Sequence, residues 1–273
     1  MRFPFTIRVA RRVGILVVGM AFLTVAQTST AQAPFRWEKT RDATLLSAGV
    51  LLGAGSLVLL AGVDPLTIDE IDRLDANDVN DFDRDSIVPF SDAQTGDAMA
   101  VVSYLLPLTT LVREDTNRDW KTIGVMWVEA TLLNLGINGV VKSTLLRTRP
   151  YAYDPETPLD KKTTSSARLS FYSGHTASAA CNCFFVARVL SAYVESPKAR
   201  VAMWAGAATY PALTGLLRVD SGHHFRTDII TGYVIGAAVG YLVPQLHRIG
   251  DDRVSLRPAA VGGSTGLEVQ IAF

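Results

Sequence analysis

The chain has 273 residues, enough for one sizeable core, and nothing in its composition divides it into two unrelated domains. Its 26 basic and 26 acidic residues cancel, so net charge gives no reason to expect nucleic acid or a strongly charged surface as partner. Nearly half of the residues are apolar (48%) and mean hydropathy is +0.22, a balance that admits either a membrane protein or a soluble helical bundle.

The chain opens as an export signal. Arg2, Arg8, Arg11 and Arg12 precede an uncharged run at 13–26, and small residues follow at 28–33. The run is short for a bilayer span, and cleavage is expected after Ala31, giving a signal peptide at 1–31. Residues 43–63 then carry no charge over 21 positions, long enough to cross a membrane. Further apolar runs at 98–112, 122–141, 174–194, 201–217 and 229–246 bring the candidate helices to six; the second carries Pro107, the third Glu129 and the fourth Arg188. Their abundant Gly, Ala and Ser suit close helix packing in lipid. The expected fold class is all-α, a six-helix bundle over 43–246 embedded in a membrane, with a soluble bundle as the alternative.

Between the first two runs, residues 64–97 are rich in aspartate and are opposed only by Arg73 and Arg84. Asp81, Asp83, Asp85 and Asp92 approach the spacing of a calcium loop. Ser86, however, stands where the sharp turn needs glycine, and Asp92 where a bidentate glutamate sits, so a solvated loop or short capped helix is expected. The extension at 247–273 alternates Val254 and Leu256, then Leu267, Val269, Ile271 and Phe273, around Gly262-Gly263, and reads as a small β-hairpin. Cys181 and Cys183 lie in an apolar helical run, poorly placed to bridge or hold a metal, and read as small buried hydrophobes.

Three polar stretches break this apolar pattern. Lys142 and Arg149, separated by six residues and followed by Pro150, form a cationic rim at the end of the third run, where the proline is expected to stop the helix. Phe171-Tyr172-Ser173-Gly174-His175 opens the fourth run. Ser173 is a good N-cap, Gly174 lets backbone approach an anion at the positive helix end, and His175 can donate a proton. The third stretch runs from 218 to 228. A helix beginning near Thr227 puts His224 and Asp228 one turn apart, so the carboxylate accepts from one imidazole nitrogen and leaves the other as nucleophile. Arg218 adds a permanent planar cation. Taken singly, the three stretches read as a positive helix flank, an ordinary capped helix and a polar connector.

Together they resemble the type 2 phosphatidic acid phosphatase (PAP2) superfamily, shared with bacterial acid phosphatases and vanadium haloperoxidases. The family pattern is Lys-x6-Arg-Pro, Pro-Ser-Gly-His, then Ser-Arg-x5-His-x3-Asp. It is met at Lys142, Arg149 and Pro150; at Ser173, Gly174 and His175, with Tyr172 in place of the proline; and at Arg218, His224 and Asp228, with Leu217 in place of the serine. The resemblance covers residues 122–246. It implies a phosphate cage of Lys142, Arg149, Arg218, Ser173 and Gly174. It also implies nucleophilic attack by His224 to give a phosphohistidine, support from Asp228, and proton transfer by His175. No metal and no cofactor is implied, and neither His223 nor His247 falls on the pattern. The expected substrate is a lipid phosphate or pyrophosphate, lipid being inferred from the apolar helices. A soluble periplasmic acid phosphatase acting on small phosphomonoesters is the first alternative and a vanadate-dependent haloperoxidase the second. A non-catalytic membrane module is disfavoured because every expected catalytic group is present. The expected location is the inner membrane with the active site facing the periplasm. One tension follows: a cleaved signal starts the mature chain in the periplasm, and six spans then put all three motif loops in the cytoplasm.

Overall fold

The computed structural model describes residues 33–250 and, as backbone, the strands Val254–Val261 and Ser264–Ile271; the expected signal segment at 1–31 lies outside the described residues. Each apolar run forms a helix: α1 (Lys39–Ala61), α2 (Gln94–Ser103), α3 (Trp120–Leu145), α4 (Gly174–Leu190), α5 (Pro197–Asp220) and α6 (Arg226–Leu246). In the second run Pro107 cannot supply an α-helical N–H, and the chain passes instead into a 3₁₀ segment, Leu106–Leu111. The strands pair antiparallel, Val254 opposite Ile271, as the alternating tail predicted.

The ends of these helices follow from local chemistry. Ser173 caps α4 by accepting from Thr176 N at 3.4 Å, and Ser196 caps α5 with Pro197 in its first turn. Asp228 closes the start of α6 by accepting from Phe225 N at 2.9 Å. The end of α3 differs from expectation. The helix stops at Leu145, Leu146 adopts a left-handed conformation (φ 45°), and Pro150 opens a short helix, Pro150–Tyr153, instead of ending the long one. A proline holds the residue before it extended, and Arg149 is extended at φ −74°, ψ 152°. Lys142 therefore stays on the helix while Arg147 and Arg149 leave it in a different direction.

Helix packing sets the order of the bundle. A Cβ on Gly236 or Gly240 would lie 2.1 Å from the carbonyl oxygen of Ala177 or Cys181, so only glycine permits α6 to lie this close to the backbone of α4. Gly232 meets Ser173 in the same sense, which makes α4 and α6 parallel. Gly49 facing Leu132, and Gly139 facing Ser56, likewise make α1 and α3 parallel. The passes thus alternate, and α4 sits at the centre. Its Phe185, Val186 and Val189 pack with Met126 and Ala130 of α3, Ala207 of α5 and Val243 of α6. Cys181 and Cys183 are free and buried there, as expected.

One end of the bundle gathers residues 62–93, 146–173 and 221–225. The other gathers 104–119, 191–196 and both ends of the helical chain, where Arg36 N donates to His247 O at 2.9 Å and Ile249 N to Pro34 O at 3.0 Å. Three segments are long and apolar enough to cross a membrane by length and composition: α1, residues Trp120–Tyr153 containing α3, and α6. This is fewer than the six apolar runs; α2 and α4 fall short with 10 and 17 residues, and α4 is enclosed by its neighbours. Among the described residues, exposed large apolar side chains occur on every one of the other five helices, including Leu51 (72%), Val58 (76%), Val101 (66%), Val201 (69%) and Val234 (59%).

Candidate active site

The three motif stretches meet at the first of these ends. Lys142 lies in the last turn of α3, where its Nζ donates to Leu169 O at 2.6 Å. Arg149, just past the break, donates from Nε to Ser166 O at 2.8 Å. Arg218 ends α5 almost wholly buried; its Nη1 donates to Asp97 Oδ1 at 2.5 Å, and its Nε has no hydrogen-bond partner. His175 lies in the first turn of α4 with Nε2 3.1 Å from the same Asp97 oxygen. His224 is buried at the centre (1% exposed). Burial first, then the charges of Lys142, Arg149, Arg218 and His175, hold its imidazole well below the usual range. The structure therefore assembles all three expected cations and both expected histidines.

The same field acts on the other imidazoles. His175 is lowered to about 4, by burial and then by Arg218. His223 is lowered to about 3 by burial, Arg218 and Arg149; its Nδ1 lies 3.0 Å from both oxygens of Ser221, and its ring packs against Phe90 and Tyr151.

Asp228 reaches His224 less closely than its helical spacing suggested. Oδ2 is 3.6 Å from His224 Nδ1, beyond hydrogen-bond distance. The carboxylate is fixed by other groups: Ser170 Oγ donates to Oδ2 at 2.5 Å, Phe225 N at 2.9 Å, and Arg147 Nη1 to Oδ1 at 2.6 Å. Arg147 also meets Asp83 Oδ2 at 2.8 Å and Thr227 Oγ1 at 2.8 Å, with its guanidinium carbon 4.1 Å from the centre of the Phe225 ring. Asp83, fully buried, further accepts from Thr227 N and Oγ1. One residue of the acidic stretch is thus a counterion of the site's scaffold. Its carboxyl is held below the usual range by hydrogen bonds from Thr227 and Arg147 that outweigh its burial.

Ser173 is occupied by its capping role, since its Oγ also accepts from Thr176 Oγ1 at 2.9 Å. Beneath it, Asn138 Nδ2 donates to Tyr172 O at 2.9 Å, and a Cβ on Gly174 would stand 2.7 Å from Asn138 Oδ1. Glycine is needed there to seat the turn on α3.

Sequence reasoning missed Asp97, Arg147, Asp83 and Ser170. Arg147 lies inside the first motif stretch, and a third basic residue between Lys142 and Arg149 was the available signal. A cavity of about 430 Å³ lined by Asp115, Asp119, Tyr193 and Arg200 lies at the other end and holds none of the site residues. Among the described residues, the group with the donors to hold a metal is Asp42, Glu129 and His247, also at that other end.

Residues 123–249 match the family model of the PAP2 superfamily. A similar solved structure is the first transmembrane PAP2 type phosphatidylglycerolphosphate phosphatase from Bacillus subtilis, 22% identical, with 72% of this chain and 94% of that chain covered at a TM-score of 0.43. The match spans the three motif stretches and the helices that carry them, so residues 123–249, just under half of the chain, are similar to the PAP2 superfamily, a likeness that supports a phosphoric ester hydrolase of that type.

Proposed function

We propose that the protein hydrolyses a lipid phosphate or lipid pyrophosphate through a phosphohistidine, with no metal in the reaction. The observation that carries this reading is a buried imidazole, His224, placed in the combined field of Lys142, Arg149 and Arg218, with a second imidazole, His175, in the same field. A neutral, poorly solvated imidazole facing three cations has a free lone pair and a ready-made anion site. The phosphate oxygens displace Asp97 from Arg218 and take up the donors of all three cations.

His224 Nε2 then attacks phosphorus in line with the leaving oxygen, the P–O bond breaks, and His175 passes its proton to the leaving alkoxide. In the second step His175 takes a proton from water, the water oxygen attacks the phosphohistidine, and His224 leaves as neutral imidazole. Asp228 lies near Nδ1 to support the charge that develops on the ring. Burial and the neighbouring cations hold His175 down to about 4, so it is deprotonated at neutral pH. The arriving phosphate dianion opposes the cations and raises that value, so the acid is charged by substrate binding itself. A lipid substrate is supported by the exposed apolar surface on the five outer helices.

Purified protein, without added metal, is expected to release phosphate from a lipid phosphate in micelles faster than from a soluble phosphomonoester, with vanadate inhibiting both. His224→Ala is expected to fold and release none; wild-type turnover in that variant overturns the mechanism, and a preference for the soluble ester overturns the lipid reading.

For location we propose the inner membrane with the site facing the periplasm. Since α1 runs toward the site end of the bundle, this orientation starts α1 on the cytoplasmic side, so a periplasmic site and a cleaved export signal at 1–31 exclude each other in an embedded bundle. Thr163→Cys, in the site-side loop, is expected to react with an impermeant maleimide in intact spheroplasts. Labelling only after lysis reverses the orientation and favours the cleaved signal.

A further inference from the structure

At the end of the bundle opposite the phosphate cage, Asp42 of α1, Glu129 of α3 and His247, which follows α6, come together wholly buried (0%, 0% and 1% exposed). Their ligand atoms lie within 4.8 Å of one another. His247 Nδ1 is 2.8 Å from Val243 O, and a carbonyl can only accept, so the ring proton sits on Nδ1. Nε2 on the other side of the ring then faces two carboxylates, Asp42 Oδ1 at 2.8 Å and Glu129 Oε2 at 3.2 Å. Neither approach has hydrogen-bond geometry, and Glu129 has no hydrogen-bond partner at either oxygen although both are buried. A buried carboxylate in an apolar helix without a partner is costly, and the missing partner is positive.

We propose that Asp42, Glu129 and His247 bind a divalent transition-metal ion of the zinc class. An imidazole whose other nitrogen donates to a backbone carbonyl is oriented as metal-bound histidines are, and one nitrogen with two carboxylate oxygens suits zinc and disfavours magnesium or calcium. Tetrahedral zinc with bonds of about 2.0–2.1 Å spaces its ligand atoms about 3.3 Å apart. The 3.2 Å edge matches that spacing, and the 2.8 Å edge needs a small opening. Arg41 neutralises Asp42 through Nε at 2.9 Å and also ties down Arg36 O and Leu246 O. The charge of Glu129 is therefore the one the ion compensates. The site lies at the far end of the helices from His224, so its role is to clamp the start of α1, the middle of α3 and the end of α6, not to take part in phosphate transfer.

Full-length protein carrying a tag without histidines is purified in detergent, stripped with EDTA, incubated with zinc chloride, desalted and assayed for metal by plasma mass spectrometry. About one zinc per chain is expected in the wild type, with a zinc-dependent rise in Tm. Glu129→Gln, which keeps the shape and removes the charge, is expected to retain less than about a tenth of that zinc. Cobalt in place of zinc is expected to give visible absorption bands from the wild type alone. Wild-type protein that stays below about a tenth of an equivalent of zinc overturns the proposal, because a proton then bridges the cluster. Full zinc retention in both Glu129→Gln and His247→Ala overturns it equally. Neither readout depends on phosphatase activity.

Discussion

Asp97 occupies the place proposed for a substrate oxygen, bridging Arg218 and His175 from the first turn of α2. Its side chain is half exposed (54%), so it can be displaced into solvent. Asp97→Asn removes a competing anion, and inorganic phosphate and vanadate are expected to inhibit that variant about 10-fold more tightly, a gain of about 1.4 kcal/mol. An unchanged inhibition constant would mean that the carboxylate does not compete. Arg147 is the opposite case, a cation held by two buried carboxylates, Asp83 and Asp228. Arg147→Met leaves both unpaired and is expected to cost about 3–5 kcal/mol in denaturant unfolding, with turnover falling as Asp228 loses its orientation. The motif residues were legible because chemistry and spacing are fixed together in short stretches. Asp97 and Asp83 were not, because each meets its partners in the site across more than sixty residues and carries no local mark of doing so.

Apolar length was enough to locate the six helices, and the Ser173 cap located the start of α4. The end of α3 was harder to read. Pro150 acts through Arg149, and the helix gives way earlier, at Leu146, for which the sequence offers no glycine or asparagine as a cue. The glycine spacing of α6 was visible as packing potential, but its partner was not. Gly232, Gly236 and Gly240 face the backbone of α4 in particular, which fixes Ser173 and His175 against Asp228. Gly236→Ala drives a methyl group into Ala177 O and is expected to lower stability by about 1–3 kcal/mol, measured as a fall in denaturation midpoint. The same shift displaces His175 from the cage, so turnover is expected to fall further than stability alone requires.

For the molecule as a whole, the depressed histidines make folding sensitive to acid. The ordinary imidazole value is 6.5, and in the folded state His175 lies near 4, His223 near 3 and His224 well below its usual range. Between these values and 6.5 the unfolded chain binds more protons than the folded one, so stability rises with pH and is lost as pH falls below about 6.5. Tm is expected to drop between about pH 7.5 and about pH 5, and phosphate, by neutralising the cage, is expected to restore part of the loss. A Tm independent of both would contradict the placement of the three imidazoles in one positive field. That field was foreseeable in kind from the motif cations. The extent of burial around it was not, because enclosure depends on how the acidic stretch and the 146–173 loop fold over the end of the bundle.

The parallel register of α4 and α6 has an electrostatic cost of its own. Two helices side by side in the same sense place like poles together, and both amino-terminal ends point toward three fixed cations. That end of the molecule is thus electrostatically frustrated, and Asp97 supplies the negative charge that meets Arg218 there. Any tetrahedral oxyanion relieves that frustration whether or not it can react, so inorganic phosphate is held for the same reason as substrate. In the proposed reaction, cleavage leaves the group the cage attracts most strongly, and exchange of one anion for another is the expected slow step.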